Sequence, residues 1–425
     1  MNALSQKRPK NIIQNAMKNP AKVLAVGIDI AKTTHIVRAM RGNGERLKNK
    51  FSCSSSPDSL HNLAEWIINL KKDYKINHVF IGMEPTGLFW YPVYDFLKDY
   101  MPDCGVYQVL PQAVCYNRKI KSSNLSKDDV SDAFLIADLI RQGQCRRPIQ
   151  HTLLTRQIRN ALHRYMHVDD EAINWKRQLL SILQRVFPEA VNNVNERNTD
   201  SILNILRDMP RPVDITAISE NAWIEKHVTR GRARTKLRAL YKNAVTSLGY
   251  SDDSYHWKTT WDISWSAWNQ TKKHREKFKN LIESLVNDFK YVDALKSIPG
   301  IGTMTIAAFL AGAGDIYQYK RASQIEKVFG FDLQRCQSGK TEATPHITKR
   351  GYSPARKYFF MGAMTASQLA PFNSWYNRHI YDKEQKGKIK TIIALAAKLT
   401  RICFHIARTG EKFDPEKAVN IIERE

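Results

Sequence analysis

The chain has 425 residues, enough for two or three domains, and it carries 66 lysines and arginines against 41 acids, a formal charge of +25. This excess of positive charge predicts a polyanionic partner, and nucleic acid is the commonest one. No apolar run approaches the roughly 18 residues of a spanning helix, and the N-terminus lacks the apolar core of a signal peptide, so we expect a soluble cytoplasmic protein. The six cysteines form no CxxC pair, which disfavours structural zinc and a disulfide framework.

The first 20 residues contain four cations and no acid. This composition predicts a basic, poorly ordered N-terminal arm. Contact with phosphates and simple solubilisation explain such an arm equally well.

Residues 21–147 alternate between strand and helix patterns, which predicts a three-layer α/β domain. The predicted strands are Lys22 to Ile30, His35 to Met40, Arg46 to Ser52, His78 to Met83 and Val106 to Leu110, and the predicted helices run from Ser56 to Leu70, from after Gly87 to about Tyr100, and from Asn124 to Gln144.

Four carboxylates stand at the ends of these elements. Asp29 interrupts an otherwise apolar strand, Glu84 follows a second buried strand, and Asp129 and Asp132 lie one helical turn apart. Each acid alone has an ordinary explanation, such as a turn or a favourable position at a helix N-terminus. Together they predict an all-oxygen site for Mg²⁺ or Mn²⁺, since clustered carboxylates repel one another without a cation, and two such ions suit phosphodiester chemistry.

Residues 148–290 are polar, basic and dominated by helical periods, beginning with one long helix from Leu153 to Arg185. Arg230, Arg232 and Arg234 form a candidate phosphate-binding surface, although a solvated helix face has the same pattern. Four tryptophans between positions 257 and 268 recur at helical spacing, which favours a packing surface over base stacking. Long helices with one apolar stripe also suit a coiled coil.

Residues 291–425 read as a third, mainly helical domain. Its stretch LKSIPGIG resembles a helix-hairpin-helix element, in which Gly300 and Gly302 let backbone amides approach a DNA phosphate. Further helices are predicted from Pro354 to Ser374 and from Lys388 to Arg408.

Two cation-rich loops lie between the hairpin element and these last helices. Ser338 is flanked by Arg335 and Lys340 in the first, and the second contains Lys349 and Arg350. A serine beside glycine is usually a turn residue. Fixed cations are also what a hydroxyl attacking a phosphate needs, because they stabilise the charge that develops on the phosphoryl oxygens.

The stretches GIDIAKTTH, GMEPTG, KDDVSDA, LKSIPGIG, QSGK and ITKRG occur in this order. Their combination resembles the DEDD insertion-sequence transposases, a family of bridge-RNA-guided serine recombinases related to the pilin-gene-inverting invertases. The resemblance covers most of residues 21–145 and 290–410. Asp128 stands where the family has threonine, so it remains an alternative to Asp129 as a ligand.

The resemblance implies a RuvC-like, RNase H-fold catalytic domain, a helical coiled-coil region and a mainly α C-terminal transposase domain. It implies that Asp29, Glu84, Asp129 and Asp132 bind Mg²⁺ or Mn²⁺ and that Ser338 attacks DNA to form a transient phosphoserine link. The implied partners are donor and target DNA, a structured noncoding guide RNA, and further copies of the chain in a tetramer. Ser353 is a competing hydroxyl, but it precedes a proline at a predicted helix start, a structural position.

Two other functions remain open. A metal-only nuclease or Holliday-junction resolvase of the RNase H type would use water instead of the serine. A non-catalytic scaffold would use the basic helices and the hairpin element only to bind nucleic acid.

Overall fold

The fold is known from a computed structural model. It describes residues 9–48, 50–85, 87–121, 129–192, 199–227, 231–249, 255–334, 337–338, 341–342, 346–380 and 387–417. The chain divides into two compact units, Met1–Ile149 and Gln150–Glu425.

The first unit is built on a five-stranded mixed sheet. Its strands are β1 (Val23–Asp29), β2 (His35–Arg41), β3 (Phe51–Cys53), β4 (His78–Met83) and β5 (Gly105–Gln108). They lie in the order β3-β2-β1-β4-β5. β1 pairs with β2 antiparallel and with β4 parallel, β4 pairs with β5 parallel, and β2 pairs with β3 antiparallel. This mixed α/β architecture is consistent with the RNase H-like domain that the family resemblance implied.

Helices cover both faces of this sheet. They are α1 (Pro9–Ala16), α2 (Pro57–Asp73), α3 (Trp90–Tyr100), α4 (Pro111–Lys121) and α5 (Asp129–Arg141). Because side chains alternate along a strand, Leu24, Val26 and Ile28 pack with α2 and α3, whereas Val23 and Ala25 pack with α1 and α5 on the other face. The predicted three layers are therefore present.

The prediction of a poorly ordered N-terminal arm is wrong for residues 9–20. Residues 9–16 form α1, and its Ile13 is fully buried in the core beneath α5. Residues 1–8 lie outside the described part. The apolar residues of the segment outweigh its basic composition here, because burial of Ile13 ties the helix to the sheet.

The second unit is mainly helical. Its helices are α6 (Leu153–Val186), α7 (Pro188–Asn192), α8 (Thr199–Ile205), α9 (Pro212–Thr216), α10 (Glu220–His227), α11 (Gly231–Thr246), α12 (Tyr255–Asn287), α13 (Val292–Lys296), α14 (Thr303–Ala313), α15 (Ala322–Phe329), α16 (Ser353–Ala366), α17 (Phe372–Ile380) and α18 (Gly387–Thr409). Between α15 and α16 lie two small antiparallel ladders formed by β6 (Leu333–Gln334) with β9 (His346–Ile347), and by β7 (Gln337–Ser338) with β8 (Thr341–Glu342).

Two long helices, α6 and α12, pack on each other and run through two separate cores of this unit. The first half of α6 and the end of α12 contribute Ile158 and Ile282 to the core of α13–α18, while Leu183 and Trp261 belong to the core of α7–α11. The expected boundary near residue 290 therefore falls inside one compact unit. Of the tryptophans on α12, Trp261 and Trp268 are buried and Trp257 and Trp265 pack against the same core, so the stripe is a packing surface.

None of the helices in the described part of the chain is long and apolar enough to cross a membrane.

Candidate functional site

Asp29 and Glu84 are brought together by strand register. β1 and β4 are parallel with Ile28 opposite Met83, and the residue that follows each of these is one of the two acids. Adjacent strands lie about 4.8 Å apart, which places the two backbones side by side at one edge of the sheet. Both acids are partly buried. This edge, at the carboxyl ends of the two central parallel strands, is where sites gather in open α/β sheets.

Asp132 reaches the same edge because α5 lies directly on β1. A Cβ atom at Gly27 would come within 2.0 Å of the Ala133 carbonyl oxygen and 2.5 Å of the Ala137 backbone nitrogen. Only glycine permits this approach of helix and strand backbones. Asp132 precedes Ala133, so the first turns of α5 lie over β1 two residues before Asp29.

The Asp132 carboxylate is buried, with 3% of the residue exposed, and pairs with an arginine of α4. Arg118 donates from Nε to one carboxylate oxygen at 2.8 Å and from Nη2 to the other at 2.5 Å. Hydrogen bonding to Asp132 raises the pKa of Arg118 above its ordinary value, and the charge of Glu84 adds to this in a smaller degree. Sequence reasoning missed Arg118, since nothing in the chain distinguishes it from the other cations.

The remaining predicted acids are only partly visible. Asp129 begins α5, but its side chain and the whole of Asp128 lie outside the described residues. Among the described residues, no three Asp, Glu, His or Cys side chains are grouped closely enough to hold a metal ion. The donors that are placed here are all carboxylates, and one of them is buried against a cation, so their chemistry fits a hard divalent ion.

The turn that follows Asp29 is held by a buried histidine that sequence reasoning did not identify. The backbone N–H of Ala31 donates to Nδ1 of His35 at 3.3 Å, and His35 Nε2 lies 2.9 Å from the Ser55 hydroxyl. Because Nδ1 accepts, the proton of the neutral ring is on Nε2, which donates to Ser55. Burial lowers the pKa of His35, which keeps the ring neutral.

Ser338 is the last residue of β7 and stands opposite Thr341 of β8. It therefore ends the first strand of the antiparallel pair β7–β8, which we call the serine hairpin. Its side chain, together with Arg335, Gly339 and Lys340, lies outside the described residues.

The second cationic loop follows β9, and its Lys349 and Arg350 are exposed. The Thr348 hydroxyl donates to an Asp332 carboxylate oxygen at 2.6 Å, and the Thr348 backbone N–H donates to the Asp332 carbonyl at 2.8 Å. A Cβ atom at Gly351 would lie 2.3 Å from the Val328 carbonyl oxygen, so the loop is packed against the end of α15.

The two glycines of the predicted hairpin element have different surroundings. Gly300 has a φ of +86°, and a Cβ there would lie 2.6 Å from the Gly362 carbonyl oxygen, so this glycine is required for packing against α16. Gly302 precedes α14 and has no atom within 4 Å of its Cβ position. Gly302 is thus the one of the two that faces open space.

Most of the predicted arginine surface lies outside the described residues. Arg230 and the side chain of Arg232 lie outside the described residues, whereas Arg234 is exposed on α11.

Comparison with known families finds two matches. Residues 26–188 match a transposase family of DEDD type named for IS110 elements, and residues 292–378 match the transposase family IS116/IS110/IS902. The two matches together span more than half of the chain, and the first contains all four predicted acids.

The chain is also similar to the transposase for insertion sequence element IS1111A of Coxiella burnetii (strain RSA 493 / Nine Mile phase I). The two are 28% identical over 122 residues, which is 28% of this chain and 33% of that protein. The alignment thus spans about a third of that relative. With the two family matches it leads to one conclusion: the chain belongs to the IS110 family of transposases.

Proposed function

We propose that the chain cuts and rejoins DNA strands at a composite site of four acids and Ser338. The parallel register of β1 and β4 carries the proposal, because it sets Asp29 and Glu84 at neighbouring strand ends beside the helix of Asp132. Carboxylates delivered to one sheet edge by several elements are what metal-assisted phosphodiester chemistry uses.

The acids would hold one or two divalent cations, and Mg²⁺ or Mn²⁺ fits their oxygen donors best. When bound, these ions stabilise the negative charge on the oxygens of the phosphate under attack. The carboxylates themselves fix the positions of the ions, and α5 supplies the buried one. Arg118 would have to leave Asp132 for this role to be filled.

Ser338 would be the nucleophile. Its Oγ forms a bond to phosphorus as the bond to the leaving strand oxygen breaks; the serine gives up a proton and the leaving oxygen takes one up. The energy of the broken bond is kept in the phosphoserine link, so a strand hydroxyl can reverse the step and rejoin DNA. Exposed Lys349 and Arg350 are suited to contact the phosphates beside it.

The partners in this proposal are donor and target DNA, a structured noncoding RNA that pairs with both, and other copies of the chain in a tetramer. The charge of +25 supports binding of nucleic acid in general. Base pairing by the RNA would supply sequence selection, so the protein would need few base contacts. Sequencing the nucleic acid that copurifies with the chain tests this: a discrete RNA from the flanks of its own gene is expected, and random host RNA contradicts RNA guidance.

A covalent trapping experiment tests the chemistry. The wild-type chain, supplied with Mg²⁺, target DNA and the copurified RNA, is expected to form a protein–DNA adduct that Ser338→Ala abolishes. Asp29→Asn is expected to lower strand cleavage about a thousandfold. Ser353→Ala, at the start of α16, is the matched control and should behave as wild type.

Two results would contradict the proposal in different ways. Full cleavage by Ser338→Ala with no adduct from any variant indicates a nuclease that uses water. Salt-sensitive DNA binding without Mg²⁺-dependent strand breakage indicates a scaffold.

A further inference from the structure

Arg118 occupies the oxygens that a metal ion would need. Both carboxylate oxygens of Asp132 accept hydrogen bonds from the guanidinium, at 2.8 and 2.5 Å, in the two-bond geometry that makes arginine–carboxylate pairs strong. The carboxylate has almost no access to water, whereas the arginine side chain is 23% exposed. The arginine therefore has a route toward solvent that the acid lacks.

A buried carboxylate requires a positive partner, and the described structure supplies it with a side chain. The same site would take a divalent cation, for which Asp132 must offer at least one oxygen. A guanidinium that stays in place would block these oxygens and repel the ion, since it puts a unit of positive charge among the acids. Its field also reaches Glu84.

We propose that Arg118 is the resident counter-ion of the acid site, which a divalent cation displaces from Asp132, and that Arg118 thereby sets the affinity of the site for metal. The inference rests on the proposed function, because it takes Asp132 as a metal ligand. Arg118 acts here through Asp132 and is a positioning residue. Exchange of one cation for another keeps the buried carboxylate paired throughout, so no step leaves its charge uncompensated.

A second arginine–aspartate pair on α5 provides a matched control. Arg141 donates to one oxygen of Asp138 from Nε at 2.8 Å and from Nη2 at 2.6 Å, and Gln142 donates to the other oxygen at 2.9 Å. The Arg141 side chain is 25% exposed, close to the value for Arg118. Asp138 lies on the same helix as Asp132, but Arg141 donates to the Gly42 carbonyl near the start of β1, away from Asp29 and Glu84.

Binding of Mn²⁺ alone to the full chain without nucleic acid tests the inference, with the free ion followed by electron paramagnetic resonance. Arg118→Gln is expected to bind Mn²⁺ about tenfold more tightly than wild type, because competition and repulsion are both removed. Arg141→Gln should bind as wild type does. Unchanged or weaker binding by Arg118→Gln overturns the inference.

Arg118→Lys separates competition for the Asp132 oxygens from charge repulsion of the metal ion. It also replaces Arg118→Gln as the test if that variant does not fold. Lysine keeps the charge but loses the two-bond fork. Tightening of Mn²⁺ binding by about threefold is expected from weaker competition alone. No tightening in a folded Arg118→Lys variant, when Arg118→Gln is unfolded, counts against the inference.

Failure of the inference can be told from failure of the proposed function with Asp29→Asn and Asp132→Asn. If both variants bind Mn²⁺ as wild type does, the acids are not a metal site and the proposed function fails. If both lose binding while Arg118→Gln changes nothing, the metal site stands and only the role of Arg118 is refuted.

Discussion

The acid region and the serine hairpin are held in place by different means. Asp29 ends β1, Glu84 follows β4, and Asp132 lies on α5, whose backbone touches that of β1 at Gly27. Ser338 stands on a ladder of two residues per strand, beside a loop held by Thr348 and Asp332. Core packing positions the first region, whereas a few hydrogen bonds position the second.

The difference bears on function if the two regions act together. Groups that hold metal ions need geometry fixed to a fraction of an ångström, which packed elements provide. A nucleophile that forms and releases a covalent bond to DNA must approach and withdraw, and few stabilising contacts favour such movement.

The largest expected effect is in the acid region. Gly27→Ala would force its methyl group into the α5 backbone, and we expect a loss of about 3 kcal/mol in the free energy of unfolding. Urea denaturation of the full chain measures it, with Gly302→Ala as the control because that site is open. A Gly27→Ala variant as stable as the control would show that α5 does not rest on β1.

A smaller effect is expected beside the serine hairpin. Thr348→Val removes the hydroxyl that donates to Asp332 and should cost about 1 kcal/mol. We expect faster backbone hydrogen exchange in residues 346–350 with little change in the global transition. Thr246→Val, whose hydroxyl bonds only within α11, is the control. A loss in the free energy of unfolding as large as that of Gly27→Ala would contradict the view that only a few hydrogen bonds hold the serine hairpin.

The smallest effect is expected from pH. Burial lowers the pKa of His35 below its ordinary value near 6.5, so the unfolded chain binds a proton that the folded chain does not. The contribution of neutral His35 to the free energy of unfolding is therefore fully present above about pH 6.5 and declines as the pH falls below that value.

Hydrogen exchange of the Ala31 amide checks this prediction, since a protonated Nδ1 cannot accept its hydrogen bond. After correction for intrinsic rates, the amide should be less protected at pH 5 than at pH 7.5. The amide of Leu47, which donates to the Ala39 carbonyl, should keep its protection. Equal protection of Ala31 at both pH values would refute the role of His35.

The sequence predicted helices and strands well where the spacing of apolar residues matches the face that each element buries. The long helix expected from Leu153 to Arg185 is α6, the last helix is α18, and the hairpin and parallel strands of the first unit are present at the expected positions. Strand alternation and helical periodicity are local properties, so the chain itself carries them. The helix expected over 354–374 is instead interrupted, with α16 ending at Ala366 and α17 beginning at Phe372.

Contacts between distant segments could not be predicted. The pairing of Arg118 with Asp132 depends on how α4 packs beside α5, and the enclosure of Gly300 depends on α16, more than fifty residues later in the chain. Positive φ and close approach both call for glycine, so LKSIPGIG could not reveal which of its glycines faces solvent. The four acids were identified as candidates, and their roles and that of Ser338 remain predictions.

The path of α6 and α12 through two cores has a mechanical consequence. A helix of 34 residues such as α6 is about 51 Å long. Because two such helices run unbroken from one core to the other, the two cores of this unit have no loop hinge between them. Any change in their separation or angle must bend a pair of packed helices, so this unit should transmit strain elastically along its length instead of swivelling.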